Sequence, residues 1–110
     1  MCTDINLNLH PIGPSAEPTN LTAATVNSES IYLSWEPPPF SEQNGQIQHY
    51  IINVTELDTG NSFIQIATGT EFTFYSLHPY YTYAFTIAAM TVDIGPTSNI
   101  IIAMTEEDGI

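Results

Sequence analysis

From residue 18 onward, apolar and polar positions alternate in short runs, and each run stops at a turn signal. In "SIYLSW" the residues Ile31, Leu33 and Trp35 share one face, with Tyr32 and Ser34 on the other. That run halts at "EPPPF", where three consecutive prolines cannot donate to a sheet ladder. "LTAATV" before it reads as a weaker first strand. "SEQNGQ" turns the chain at Asn44-Gly45. "IQHYIINVTEL" alternates again, Tyr50, Ile52 and Val54 against His49, Ile51, Asn53 and Thr55. Asp58-Thr59-Gly60-Asn61 is a second turn, and "SFIQIAT" and "TEFTFYS" are short strands parted near Gly69. "YYTYAFTIAAM" is the longest strand, with Tyr83, Phe85, Ile87 and Ala89 facing one way. "VDIGPTS" reads as a turn and "NIIIAMT" as the closing strand.

No run carries a period of about 3.6, so the pattern predicts an all-β fold. Seven strands spaced about 8 to 12 residues apart predict an all-β sandwich. The inward positions make the expected core: Leu21, Ile31, Leu33, Trp35, Tyr50, Ile52, Val54, Phe72, Phe74, Leu77, Tyr83, Phe85 and Ile87. Residues 1–17, with Pro11, Gly13 and Pro14, read as a tail or linker, 18–105 as the domain, and 106–110 as an acidic exit linker.

Composition narrows the function. The 110 residues include no Lys or Arg against 12 Asp and Glu, a formal charge of -12. Such a chain repels phosphate backbones and anionic lipid, so neither nucleic acid nor a membrane surface is an expected partner. The apolar runs fall short of the roughly 18 residues a membrane helix needs. The single cysteine, Cys2, excludes an intrachain disulfide and a cysteine metal site. The opening "MCTDINLNLH" has neither the basic end nor the apolar stretch of a secretory signal, and it reads as a cut from a longer protein.

Trp35 with "PPP" behind it, Leu77 and Tyr83 six residues apart in "SLHPYYTYAF", Gly95, Ser98 and the closing "TEED" together resemble the fibronectin type III module. The match runs from about Pro18 to Asp108. "WEPPPFSEQNGQIQHY" is most similar to repeats of receptor-type tyrosine phosphatases and neuronal cell-adhesion receptors. The resemblance implies a seven-stranded antiparallel immunoglobulin-like sandwich of fibronectin type III topology, and an extracellular, non-catalytic adhesion or spacer module of a multidomain cell-surface or secreted protein. Its expected partners are proteins: neighbouring modules, a receptor ligand or a second copy. It also implies a structural signature of Trp35, Leu77, Tyr83 and Gly95. Tyr83 would be the tyrosine corner, its hydroxyl bonded to backbone upstream and serving a backbone acceptor. Tyr80 falls in the preceding loop, and Tyr81 points inward only if the strand starts early. A ligand-binding module using the 37–45 and 92–97 loops is the alternative, and an engineered binding scaffold, suggested by the missing basic residues, is another.

Individual residues add little chemistry. His10, His49 and His78 lack metal-ligand spacing, and no Ser, Thr or Cys sits in a nucleophile motif, so no enzyme, cofactor or metal is expected. Asn20-Leu21-Thr22 and Asn53-Val54-Thr55 are glycosylation acceptors. The sharper anomaly is an uncharged outward surface. It comprises Ile51, the residues Thr82, Ala84, Thr86, Ala88 and Met90, and the run Ile100 to Met104. A contiguous apolar patch of this kind marks a contact face.

Overall fold

A computed structural model of the chain describes residues 13–106. Its strands are β1 (Thr19–Asn27), β2 (Ser30–Glu36), β3 (His49–Glu56), β4 (Ser62–Ala67), β5 (Glu71–Phe74), β6 (Thr82–Met90), β7 (Ile94–Thr97) and β8 (Ile101–Met104). They form two antiparallel sheets. One is three-stranded in the order β1-β2-β5. The other is five-stranded in the order β4-β3-β6-β7, with β8 also paired to β6.

Strand alternation directs one face of each sheet inward, and the two inner faces meet as the core. Ile31, Leu33, Trp35 and Phe74 come from the smaller sheet; Tyr50, Ile52, Val54, Tyr83, Phe85 and Ile87 come from the larger. Burial of each large side chain contributes about 1.5 to 3 kcal/mol. The aromatic contacts bridge the layers: Trp35 meets Tyr50 edge-on at 5.5 Å between centroids, and Phe74 meets Phe85 at 5.5 Å. Leu21 and Phe72 are only partly buried, because they lie on strands at the margin of the smaller sheet.

Three local features differ from the sequence pattern. The first is the "VDIGPTS" turn, which shrinks to a loop at residues 91–93, closed by the Thr91 N–H to the Asp93 carbonyl at 3.1 Å. Ile94–Thr97 is strand, with Met90 opposite Ile94 and Ala88 opposite Thr97. The final edge is therefore two segments, giving eight strands among the described residues where seven were expected. Pro96 lacks a ladder donor, and beyond it Ser98 repairs the line. The Ser98 hydroxyl accepts from the Ile87 N–H at 3.0 Å, and its own N–H donates to the Ile87 carbonyl at 2.8 Å. β8 then resumes against residues 82–85.

The second feature is a single helical turn, α1 (Phe40–Gln43), between the prolines and the Asn44-Gly45 turn. Asn44 and Gly45 end it at φ 56° and 134°, conformations open to Asn and Gly at low cost. The third is Gly95. Its φ is unexceptional, but a Cβ there would lie 2.8 Å from the Pro14 carbonyl oxygen, so the glycine admits the incoming chain.

Candidate contact surface

Register assigns every outward residue of the larger sheet to a row. The row through the middle runs Ile66, Ile51, Ala88, Thr97. Above it, Met90 pairs with His49 and Ile94. Below it, Ile64 faces Asn53, which faces Thr86. The lowest rows place Ala84 beside Ile102 and Thr82 beside Met104. No Asp or Glu stands at any of these positions. Ile64, Ile66, Ile94, Ile102 and Met104 keep between 46% and 63% of their surface exposed.

This arrangement alters the sequence-based face in two ways. Ala88 is 1% exposed, so it is no outward site for a charge. Its single methyl lies between Ile51 and Thr97 on the flanking strands and has no surface left to show. Ile51, Ala84 and Met90 are half-buried for a related reason, since they occupy the centre of the sheet. The exposed apolar groups lie instead on the flanks, at Ile64 and Ile66 on one side and Ile94, Ile102 and Met104 on the other. The strands "SFIQIA" and "IGPT" had the composition to reveal this, but only the register aligns them with Ile51 and Met90.

The loops at one end form a second surface. Residues 13–15 run between the α1 loop and the 91–95 segment. The Ser15 N–H donates to the Glu42 carbonyl at 2.8 Å, Ser15 Oγ donates to Glu42 Oε1 at 2.7 Å, and Asn44 Nδ2 donates to the Gly13 carbonyl at 3.1 Å. Loops 37–45 and 92–97 are thus bridged by a segment read from sequence as a linker. Phe40 is 88% exposed at the rim of a cavity of about 560 Å³ that also involves Asn44 and Ile47.

Tyr83 is fully buried. Its hydroxyl oxygen accepts from the His78 N–H at 2.8 Å, so the group it serves upstream is a backbone donor, where an acceptor was expected. Burial raises its pKa above the usual 10.0, opposed by that hydrogen bond and reinforced by Glu56. Burial also raises Tyr50. Leu77 is buried just before this corner. Tyr81 packs against the core although β6 begins after it, because Thr105 prolongs the pairing: its N–H donates to the Tyr81 carbonyl and its hydroxyl accepts from the Tyr81 N–H, both at 3.0 Å. Tyr80 is exposed in the loop at φ 59°. Among the described residues, Trp35 Nε1 is buried and has no hydrogen-bond partner.

Asn53 is exposed on the outer face, and Asn20, at φ 53°, donates through Nδ2 to Glu36 Oε1 at 3.0 Å. His49 lies on the outer face, while His78 stacks near Tyr81 with centroids 4.8 Å apart and approaches Glu56 at 3.8 Å. Among the described residues no three of His, Cys, Asp and Glu are grouped to hold a metal. His10 and Cys2 lie outside the described residues, as do residues 107–110 of the acidic exit. Also among the described residues, no helix is long and apolar enough to cross a membrane.

The sequence model for the fibronectin type III domain matches residues 16–104. The chain belongs to the fibronectin type III family. Its domain is 36% identical over 99 residues to the mouse netrin receptor DCC, covering 88% of this chain and 7% of that receptor. It is 33% identical over 78 residues to receptor-type tyrosine-protein phosphatase F of Danio rerio, covering 71% of this chain and 4% of the phosphatase. The fibronectin type III chain thus spans a small fraction of the length of these curated relatives. Among solved structures, the FN5 domain of Drosophila Lar superposes with a TM-score of 0.69 at 31% identity, over 84% of this chain and 97% of that one. The third fibronectin III domain of the human KIAA0343 protein superposes with a TM-score of 0.83 at 21% identity over 91% of this chain and 89% of that one, a likeness of fold.

Proposed function

We propose that this fibronectin type III domain is a non-catalytic adhesion or spacer module in the extracellular part of a multidomain cell-surface receptor. In this reading it meets other proteins through the outer face of its five-stranded sheet. The observation that carries the reading is the charge-free outer face, with five large apolar side chains about half exposed, in a chain of net charge -12. Exposed contiguous apolar surface is costly to solubility, and a partner or neighbouring module removes the cost. The similarity to a netrin receptor and to a receptor-type phosphatase supports the cell-surface setting.

The test uses the parent receptor displayed on cells. Ile102→Glu should reduce adhesion to partner-bearing cells at unchanged surface level, and Ala24→Glu on the opposite face should not. Equal adhesion by both variants would overturn the face. In the same expression, Asn53 should carry glycan, read as a mass shift that Asn53→Gln removes.

A second reading makes the 37–45 and 92–97 loops a ligand site. The exposed Phe40 beside the 560 Å³ cavity favours it. Phe40→Ser would then abolish binding that Ile102→Glu leaves intact.

A further inference from the structure

The five-stranded sheet ends at β4, and the backbone of β4 is unlike the other sheet margins. The Glu56 N–H donates to the Asn61 carbonyl at 2.8 Å, which fixes the phase of the β3-β4 ladder. Residues 61, 63, 65 and 67 therefore turn their backbone groups toward β3. Ser62, Ile64 and Ile66 turn their N–H and C=O groups to the open edge. One of these has a local partner: Gln65 Nε2 donates to the Ile66 carbonyl at 3.0 Å.

The other margins are guarded. β5 is four residues long and carries Glu71. β7 contains Pro96 and lies against Gly13 and Pro14. β1 faces β8, tied by Thr25 Oγ1 to the Met104 carbonyl at 2.6 Å and by the Glu106 N–H to the Asn27 carbonyl at 3.3 Å. β4 has none of these devices. From Asn61 to Thr70 the chain contains no charged residue and no proline. An open edge of this composition is a template for another strand.

We infer that β4 pairs antiparallel with β4 of a second copy, about a two-fold axis at Ile64. The outward set Ser62, Ile64, Ile66 is symmetric about Ile64. In this register Ile64 exchanges both hydrogen bonds with its counterpart, and each Ser62 exchanges both with the opposite Ile66. Every backbone donor and acceptor on the two edges is then used. Ile64 stacks on Ile64, so the row through Thr86, Asn53 and Ile64 continues into the second sheet, while each Ile66 meets the opposite Ser62. Local composition favours the same choice of occupant, against a long-range repulsion between the two net charges. A basic strand would bring cations to a ten-residue stretch that has no anion to receive them, whereas a second β4 places neutral residues against neutral residues. The inference stands apart from the receptor reading, because it uses the sheet margin and needs no outside ligand.

The test is sedimentation across a concentration series, with Cys2→Ser as the background. A dimer should form, and more of it as salt rises, since the copies repel through their net charge while the pairing contains no ion pair to screen. Ile64→Pro removes an N–H that the β3 ladder does not use and should abolish the dimer. Gln65→Ala frees the Ile66 carbonyl and should strengthen it. Ile64→Cys should give a disulfide-linked dimer under mild oxidation, because directly opposed residues of a hydrogen-bonded pair have Cα atoms about 5.5 Å apart; Ile66→Cys alone should not. A monomer at every concentration and salt overturns the inference. So does a dimer that survives Ile64→Pro, or one that cross-links equally through Ile66→Cys. If Ile64→Pro fails to fold, the contrast between the two cysteine variants still decides.

Discussion

The two outer faces of the sandwich solve the lack of basic residues differently. On the three-stranded sheet, outward side chains bond one another: Thr22 and Ser34 share a hydrogen bond at 2.8 Å, the Tyr32 hydroxyl donates to Glu71, and Asn20 donates to Glu36. Glu71 also raises the Tyr32 pKa, because its carboxylate accepts a hydrogen bond from the protonated phenol and opposes a second negative charge. Carboxylates that would elsewhere find Lys or Arg are served here by hydroxyl and amide donors. The five-stranded sheet has no acid on its outer face to serve, and its outward residues are Ile, Ala, Met, Thr, Ser, Asn and one His. One face is finished within the chain, and the other leaves apolar area uncovered. The difference shows that a surface can lack cations without lacking partners, provided its acids sit beside neutral donors.

Substitutions separate what the two sheets share from what each does alone. The largest effect falls where they meet. Trp35→Ala should cost about 3 to 5 kcal/mol by emptying the space beside Tyr50, measured as the fall in unfolding free energy in denaturant. Trp35→Phe should cost clearly less, because Nε1 has no partner to lose. A wild-type midpoint for Trp35→Ala would mean the sheets do not pack through it.

Next is the corner that anchors the larger sheet. Tyr83→Phe keeps the ring but leaves the His78 N–H without its acceptor, an expected loss of about 1 to 3 kcal/mol. It should also change the alkaline limb. With its folded pKa above 10.0, Tyr83 keeps a proton that the unfolded chain releases. Its contribution is complete below pH 10 and is lost as pH rises from there through the folded value. Tyr83→Phe should flatten that decline, leaving the part due to Tyr50 and Tyr32. An unchanged slope would show that the phenol does not titrate with unfolding.

A smaller effect should mark the polar face. Thr22→Ala breaks the hydroxyl pair with Ser34 and should cost about 0.5 to 1.5 kcal/mol, whereas the Thr22→Ala, Ser34→Ala double variant should recover part of it. Additive losses would mean the pair is not coupled. The smallest stability change belongs to the apolar face. Ile102→Glu should lie within about 0.5 kcal/mol of wild type, since the side chain already meets solvent. A large loss there would mean the face is internal support, and the contrast between the sheets would fail.

The inward half of the fold was legible locally. Residues two apart on a strand point the same way whatever the strand pairs with, so Ile31, Leu33 and Trp35, or Tyr83, Phe85 and Ile87, could be placed inside from the chain alone. Leu77 and the corner role of Tyr83 came instead from the resemblance to the fibronectin type III module, with only the inward parity of Tyr83 readable from alternation. The outward half depended on neighbours. Ala88 has outward parity and is buried, because exposure depends on the side chains of adjacent strands, and those came together only through register.

Alternation along the chain fixed the fold class and the core-facing residues, since period and parity are properties of consecutive residues. Tertiary structure decided what distant segments did to one another. It split the last strand at Ser98, laid residues 13–15 between two loops, gave the Tyr83 hydroxyl a backbone donor to accept from, and left β4 as the open margin. Each of those outcomes rests on a contact between residues far apart in sequence, whose energy no local pattern encodes.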